Sequence, residues 1–148
     1  MHLTQNWEIR KPSASSRGGI VAAQNGTAAQ VGAEVLAAGG SAVDAVVATA
    51  FALAVVEPWS SGLGGIGHLV VQQAGAERAE SVDFGPISPR NLDPAAYPLS
   101  GHTQTDLFTW PQSVLGDRNN RGPLSFMIPS AVRGYALAVE RVWPAALA

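Results

Sequence analysis

Residues 59–68 read Trp-Ser-Ser-Gly-Leu-Gly-Gly-Ile-Gly-His, with four glycines in the six positions from Gly62 to Gly67. Glycine has no Cβ, so it adopts positive φ angles easily and lets other groups approach the backbone closely. We therefore expect Gly62, Gly64, Gly65 and Gly67 to form the floor of a pocket. A β-branched residue at Gly64 is expected to damage packing or assembly. The plainer alternative is that the four glycines serve close packing alone.

The same letters satisfy the G-x-G-x-x-G pattern of dinucleotide-binding loops at Gly62, Gly64 and Gly67. That pattern has its meaning only between a preceding strand and a following helix, whose N-terminus holds the pyrophosphate. Here an alanine-rich helical run precedes the loop, and His68-Leu69-Val70-Val71 after it is typical of a strand. The order of elements therefore argues against a dinucleotide site.

Upstream of the glycine loop, the pattern predicts a short apolar segment and two helices. Residues 19–23 are compatible with an inner strand, although their length leaves this ambiguous. A first helix is expected over residues 28–38, with the pair Gly39-Gly40 as its left-handed stop. Ser41 and Asp44 fit an N-terminal capping box for the next helix, which Pro58 ends.

Two carboxylates flank this second helix. For Asp44 we expect the capping role, and for Glu57 a hydrogen bond to the glycine loop.

Downstream of the loop, residues 68–73 and 80–84 are predicted to be two strands of a hairpin. Residues 85–123 are rich in Pro, Gly, Asn and Asp and show little periodicity, and loops of that length are usually functional or dependent on a partner segment. Ser130 is placed to cap a last helix that runs to Arg141. We divide the chain into an irregular segment, residues 1–17, and a partial domain, residues 18–148, with 85–123 as its long loop region.

The composition limits the classes of function. The chain has 148 residues, 47% of them hydrophobic, and a formal net charge of −2, which fits one domain with no electrostatic attraction to nucleic acid. It has no cysteine, which excludes disulfides and a cysteine nucleophile. The longest apolar run, residues 42–56, contains Asp44 and Thr49 and is shorter than the ~20 residues of a membrane span. The first residues lack the order of a signal peptide, so the expected location is the cytoplasm.

Several segments resemble the γ-glutamyltranspeptidase family in the order in which that family has them. They are Gly-Ile-Val-Ala-Ala at 19–23, Gly-Gly-Ser-Ala-Val-Asp-Ala at 39–45, Val-Val-Glu-Pro at 55–58, Ser-Gly-Leu-Gly-Gly-Ile-Gly at 61–67, Val-Asp-Phe at 82–84 and Ile-Pro-Ser-Ala-Val-Arg-Gly at 128–134. The resemblance covers most of the chain from about residue 18 to residue 141.

This resemblance implies an α+β fold, the αββα sandwich of the N-terminal-nucleophile hydrolases, of which this chain looks like only the N-terminal portion. In that family a precursor cuts itself, and the nucleophile is a threonine at the start of the small subunit. The α-amine of such a threonine serves as its general base, and no internal threonine has one. We therefore assign no catalytic residue to this chain. The resemblance implies no cofactor, and as partners the remainder of the precursor or a small-subunit-like chain.

One substrate contact of the family falls inside this segment. The arginine that follows Asp-Phe and grips the α-carboxylate of the substrate is replaced here by Gly85. Glycine supplies no bidentate, charge-assisted partner for a carboxylate. Either the substrate lacks that carboxylate, or another cation supplies the contact, for which Arg90 is the nearest candidate. The plainer interpretation of Arg90 is a solvated loop residue.

The residue types also allow other chemistry. Ser60, His68 and Asp83 have the residue types of a hydrolytic triad, although local hydrogen bonding of His68 and a structural role for Asp83 are the plainer interpretations. No group of His, Asp and Glu has metal-ligand spacing, so no metal is expected. Five scattered aromatic residues are candidates for an acyl pocket or for core and interface positions; they are Trp59, Phe108, Trp110, Phe126 and Trp143.

Three hypotheses for the function follow. The first is the N-terminal piece of a γ-glutamyltranspeptidase-like hydrolase or transferase acting on a small γ-glutamyl or other amide substrate and inactive alone. The second is a truncated, non-catalytic remnant. The third is a separately encoded subunit that needs a partner chain.

Overall fold

The computed structural model describes residues 13–102 and 113–142. Within these ranges the chain forms three α-helices, two three-residue 3-10 helices (Pro94–Ala96 and Leu115–Asp117) and one two-stranded sheet. The elements are α1 (Gly26–Ala37), α2 (Ala42–Val56), β1 (Gly67–Val71), β2 (Glu80–Phe84) and α3 (Ala131–Val142). These elements form an α+β arrangement. The described residues contain one sheet, so they do not include the two sheets packed face to face of the αββα sandwich.

The two N-terminal helices form a hairpin whose ends are fixed by local sequence. The Asn25 side chain accepts a hydrogen bond from the Thr27 N–H and caps α1. At the other end, Gly39 has a φ of 92°, and the N–H groups of Gly39 and Gly40 donate to carbonyls in the last turn of α1. This is the left-handed stop predicted from the glycine pair. It brings the chain round at once into α2.

The predicted capping box begins α2. The Ser41 hydroxyl accepts from the Asp44 N–H at 3.1 Å, and the Asp44 carboxylate accepts from the Ser41 N–H at 2.8 Å. Two orphan amides are satisfied reciprocally. The helix ends at Val56, immediately before Glu57 and Pro58, as expected.

Small residues bring α1 and α2 together. Gly32 is buried on α1, and a Cβ there would lie 2.2 Å from the hydroxyl of Thr49 and 2.9 Å from the carbonyl of Ala45 on α2. The Thr49 hydroxyl is itself buried and donates to the Ala45 carbonyl, so its hydrogen bond is satisfied inside α2. At this point the backbone of α1 at Gly32 therefore packs directly against the Thr49 side chain of α2.

The predicted hairpin is confirmed, with β1 and β2 antiparallel. Gly67 pairs with Phe84, His68 with Asp83, and Leu69 with Val82. Because side chains alternate along a strand, one face carries Leu69 and Val71 toward the helices, and the opposite face carries His68 and Asp83. The sheet therefore has a packed face and an open one.

The third helix covers the packed face with small residues. Ala131, Gly134 and Ala138 are buried and follow one another at helical spacing. Ala138 and Val43 form the centre of the hydrophobic core. Around them pack four partly buried residues, Val47, Leu69, Val71 and Val139.

Two expectations need correction or refinement. Residues 19–23 are not a strand, because this segment has no sheet partner in the described residues and its Val21 instead packs beside Gly32 of α1. The long loop region does lack strands and long helices in its described parts, but these parts are held together. Tyr97 donates its hydroxyl to the carbonyl of Leu124, and isolated bridges pair Ile87 with Ile128 and Leu99 with Val114.

Among the residues described, no helix is long and apolar enough to cross a lipid bilayer.

Candidate functional site

The glycine loop lies between the end of α2 and the start of β1. It begins with Glu57, whose carbonyl accepts from the N–H groups of Ser60 and Ser61 at 3.0 Å each. The expected hydrogen bonding of Glu57 to the loop is present, but it uses the carbonyl, whereas the carboxylate accepts from the Gln24 side chain. The backbone of Glu57, rather than its charge, therefore shapes the loop entrance.

The glycines of the loop differ in what they permit. None of the four has a positive φ. A Cβ at Gly65 would meet the Gly62 carbonyl at 2.9 Å, and one at Gly67 would meet the ring of Phe84 at 2.6 Å. Gly62 and Gly64 have nothing within 4 Å of an added Cβ. Close approach therefore requires glycine at 65 and 67, and the expected steric need at Gly64 is wrong for the described structure.

The loop uses a carbonyl, rather than its N–H groups, for its main contact. The Gly65 carbonyl accepts from the N–H groups of Ser130 and Ala131, at 3.2 and 3.0 Å. The first amides of a helix have no partner within the helix. The glycine loop therefore satisfies the N-terminus of α3 and fixes where that helix begins.

Ser130 joins the helix to the end of β2. Its carbonyl accepts a hydrogen bond from the Gly134 N–H at 2.9 Å, so Ser130 occupies the N-cap position of α3. Its hydroxyl, however, donates to the carbonyls of Phe84 and Gly85, at 2.7 and 3.4 Å. The sequence predicted the position of Ser130 from its cap propensity, but the contact with a strand 46 residues away has no local signature.

An aromatic cluster lies beneath the end of β2. The ring of Phe84 is buried against Gly67 and Gly134, and it meets Tyr135 edge-on with ring centroids 5.5 Å apart. Tyr135 also meets Phe51 of α2 edge-on at 5.3 Å. Burial raises the pKa of the Tyr135 hydroxyl. A cavity of about 180 Å³ opens beside this cluster, with Gly67 in its wall.

His68 and Asp83 face each other across the hairpin on the open side of the sheet. The His68 Nδ1 lies 3.1 Å from Asp83 Oδ1, and both side chains are well exposed, at 69% and 74%. The same Asp83 oxygen accepts the Gly85 N–H at 2.8 Å. One carboxylate oxygen thus holds both the imidazole and the backbone that follows β2.

Of the three residues considered for a hydrolytic triad, the structure brings His68 and Asp83 into contact. Ser60 lies on the turn after α2, and no hydrogen bond of its hydroxyl to His68 is found in the described residues. His68 and Asp83 form their pair without it. The local hydrogen bonding expected as the alternative for His68 is thus present.

Gly85 directly follows β2, and the absence of a side chain there lets Asp83 and His68 lie close to its backbone. A Cβ there would lie 2.9 Å from Asp83 Oδ1 and 3.4 Å from His68 Cε1. Arg90 stands on an exposed turn closed by the Leu92 N–H donating to the Pro89 carbonyl. In ranges 13–102 and 113–142, Arg90 has no ion-pair partner.

A second cavity, about 420 Å³, lies in the long loop region and was not predicted. Its wall includes Tyr97, Phe126 and Asn119, whose Oδ1 is buried without a hydrogen-bond partner. The one sequence signal for this cavity is the clustering of Pro, Tyr and Phe residues on both sides of residues 98–118. Among the aromatics considered for an acyl pocket, Phe126 lines this cavity and Trp59 is 80% exposed. Phe108, Trp110 and Trp143 lie outside the described residues.

No group of three or more His, Cys, Asp or Glu side chains placed to hold a metal ion is found in the described part of the chain.

Comparison with known proteins gives a consistent result. The family model described as gamma-glutamyltranspeptidase matches residues 28–142. A glutathione hydrolase proenzyme from Pseudomonas sp. (strain A14) is 34% identical over 130 residues, which is 88% of this chain and 20% of that protein. The chain spans a fifth or less of the length of the first curated relatives it matches.

Solved structures agree with the sequence matches. The gamma-glutamyltranspeptidase from Pseudomonas nitroreducens complexed with L-DON is 31% identical with a TM-score of 0.70, over 86% of this chain and 34% of that one. The gamma-glutamyltranspeptidase of Helicobacter pylori is 27% identical with a TM-score of 0.73, over 88% and 34% of the two chains.

Proposed function

Because this chain belongs to the γ-glutamyltranspeptidase family, we propose that it forms the N-terminal part of the large subunit of a threonine-dependent amide hydrolase or acyltransferase. The chain covers only 12–20% of the first curated relatives, so the nucleophile is assigned to sequence beyond the matched part. A threonine at a chain start attacks the amide carbonyl while its own α-amine takes the proton. On this proposal the 148-residue chain is inactive alone.

Apolar side chains that are exposed in this chain support the need for a partner. Val55 at the end of α2 is 78% exposed, Trp59 is 80% exposed and Val70 on the open face of β1 is 71% exposed. Apolar area removed from water stabilises by about 25 cal/mol per Å², and a sheet of two strands is weak by itself. The proposed partner polypeptide covers these residues and completes the αββα sandwich, and the part of the open face beside Gly85 then lines the pocket between the two sheets.

Within that assembly the chain supplies one wall of the substrate pocket. We assign Gly62, Gly64, Gly65 and Gly67 to the pocket floor, and Gly85 to the place where the resemblance puts a substrate-binding arginine. Gly85 offers a substrate carboxylate no cation. The substrate is therefore an amide without that carboxylate, or Arg90 turns toward the pocket when the partner is bound.

The test is hydrolysis of γ-glutamyl-p-nitroanilide and of simple acyl p-nitroanilides. The chain is assayed alone and together with a polypeptide that carries the remainder of the large subunit and a Thr-initiated small subunit, and thermal unfolding is followed in both settings. We expect no turnover by the chain alone, and turnover with one cooperative unfolding transition for the mixture.

Two other outcomes would contradict the proposal. Turnover by the chain alone would return the chemistry to Ser60, His68 and Asp83. Neither activity nor binding in the mixture would favour a non-catalytic remnant.

A further inference from the structure

The pair formed by His68 and Asp83 is exposed, and three hydrogen bonds hold the backbone that follows it. A cross-strand contact accounts for the 3.1 Å between Nδ1 and Oδ1. The same oxygen accepts the Gly85 N–H in an Asx turn, and the Ser130 hydroxyl donates to the Phe84 and Gly85 carbonyls just behind. The backbone around the pair is therefore fixed, and the pair has a defined direction.

A side chain at position 85 would push the end of the Asp83 side chain out of its present place. A Cβ at Gly85 would lie 2.9 Å from Asp83 Oδ1, with His68 Cε1 and Nε2 at 3.4 and 3.6 Å. The edge of the imidazole therefore lies beside Gly85, in the direction in which a side chain at 85 would leave the backbone. Position 85 presents His68 and Asp83 to the solvent in place of a side chain of its own.

The polar atoms that this arrangement presents are acceptors. When the imidazole is neutral, donation from Nδ1 to Asp83 leaves Nε2 as an acceptor. Asp83 Oδ1 is used twice, and no hydrogen bond found in the described residues uses its Oδ2. Asp83 has no Lys or Arg as an ion-pair partner in that part of the chain. The surface beside Gly85 is thus negative and short of donors.

We infer that the His68–Asp83 pair is a specificity element that accepts a hydrogen-bond donor, in particular an ammonium group, on the acyl part of the amide substrate and disfavours a carboxylate there. The inference rests on the proposed function for its placing of Gly85 at the substrate. Its chemistry follows from the exposed acceptors and the negative charge. It deepens that function by naming the substrate class: ω-amino acyl amides rather than amides with an acidic acyl end.

Three amides that differ only in their end group test this selectivity without any bond cleavage. They are 5-aminopentanamide, pentanamide and glutaramate, which end in an ammonium, a methyl and a carboxylate group. Each is titrated into the 148-residue chain at about pH 8, and the imidazole signals of His68 are followed by NMR. The aromatic signals of Phe84 and Tyr135, which lie under the pair, report folding.

The ammonium compound is expected to bind with a dissociation constant lower than that of glutaramate by on the order of tenfold, since exchanging attraction for repulsion at an exposed charge has about that effect. Asp83→Asn should remove the difference. Gly85→Arg should reverse it, because the added side chain displaces only the exposed ends of Asp83 and His68. Glu77→Gln, which removes one negative charge from the exposed hairpin turn, is the matched control and should leave the difference unchanged.

Equal binding of glutaramate and 5-aminopentanamide would overturn the inference, and so would a preference that survives Asp83→Asn. Absence of any shift at His68 in the folded chain would overturn it as well. If the chain alone shows no folded signals, the same end groups on p-nitroanilides are compared as kcat/KM ratios in the mixture with that partner polypeptide. Failure of the proposed function has a different signature, which is loss of turnover on every anilide while the binding order at His68 persists.

Discussion

Gly134 on α3 lies against the ring of Phe84 at the end of β2 so closely that a Cβ at position 134 would stand 2.3 Å from the ring Cγ. The ring cannot retreat freely, because Gly67 also lies against it and Tyr135 meets it edge-on. A residue without a side chain thus sets the distance between α3 and the sheet. The position of the helix N-terminus at the glycine loop depends on that distance.

Gly134→Ala is therefore expected to destabilise the fold by about 1–3 kcal/mol through overpacking. In a helix interior, alanine is more favourable than glycine by about 1 kcal/mol. A net loss of stability would therefore mean that the collision with the Phe84 ring outweighs this gain in helix propensity. The free energy of unfolding is measured in urea. Gly64→Ala is the matched control, since an added Cβ there has nothing within 4 Å and should change stability by less than about 0.5 kcal/mol. An equal loss in both variants would contradict the packing account.

The contact between α1 and α2 gives a second test. Gly32→Ala would place a Cβ 2.2 Å from the buried hydroxyl of Thr49 and 2.9 Å from the Ala45 carbonyl, two groups that are hydrogen-bonded to each other. We expect a loss of about 2 kcal/mol or more, because the two helices must separate or Thr49 must leave its rotamer. Gly26→Ala, at the open first position of α1, should be neutral or slightly stabilising. A neutral Gly32→Ala would show that the helices separate without cost.

The sequence predicted the elements whose causes are local. The capping box of Ser41 and Asp44, the left-handed stop at Gly39 and the alternation of the hairpin are all written in neighbouring residues, and the structure contains them. The sequence left open whether residues 19–23 form a strand; they do not, because a short apolar run forms a strand only beside a partner strand, and here it lies against α1 instead. The family followed from several motifs in order along the chain, which no single motif identifies.

The residues of the candidate site could be predicted from the sequence, but their contacts could not. The glycine loop, His68, Asp83 and Gly85 all stand out in the sequence. Their geometry depends on Ser130, which reaches the carbonyl of Phe84 46 positions earlier in the chain. Such a contact follows from how α3 packs on the sheet, and no spacing rule encodes it. The same reason explains why the crowded positions of the loop are 65 and 67, where the sequence suggested 64.

Ser130→Ala tests that long-range link. The variant leaves the Phe84 carbonyl without its side-chain donor in a half-buried place, for which a loss of about 1–2 kcal/mol is expected. Ser125→Ala is the control, because the Ser125 hydroxyl donates only to the carbonyl of Gly122 three residues earlier, on an exposed turn. The midpoint of urea unfolding is compared for both variants. Equal midpoints would show that the Ser130 hydroxyl contributes no more than a local turn.

The partly buried phenol of Tyr135 makes the fold sensitive to alkaline pH. Burial raises its pKa above the ordinary value of 10.0, because the charged phenolate is poorly solvated among Phe51 and Phe84. Above about pH 10 the unfolded chain releases this proton while the folded chain keeps it, so the unfolded state binds fewer protons and stability falls as pH rises. The contribution of Tyr135 is fully present below the unfolded-state pKa and is lost as the pH rises through the folded-state pKa.

Tyr135→Phe keeps the two edge-on ring contacts and removes the titrating group. We expect its urea midpoint to fall less than that of the wild type between about pH 9 and pH 11, with the two proteins compared at each pH so that other titrating groups cancel. Tyr97→Phe is the matched control. It should lose stability already at neutral pH, because the Tyr97 hydroxyl donates to the Leu124 carbonyl. Parallel curves for the wild type and Tyr135→Phe would mean that the phenol is solvated in the folded chain and that the aromatic cluster under β2 is open to water.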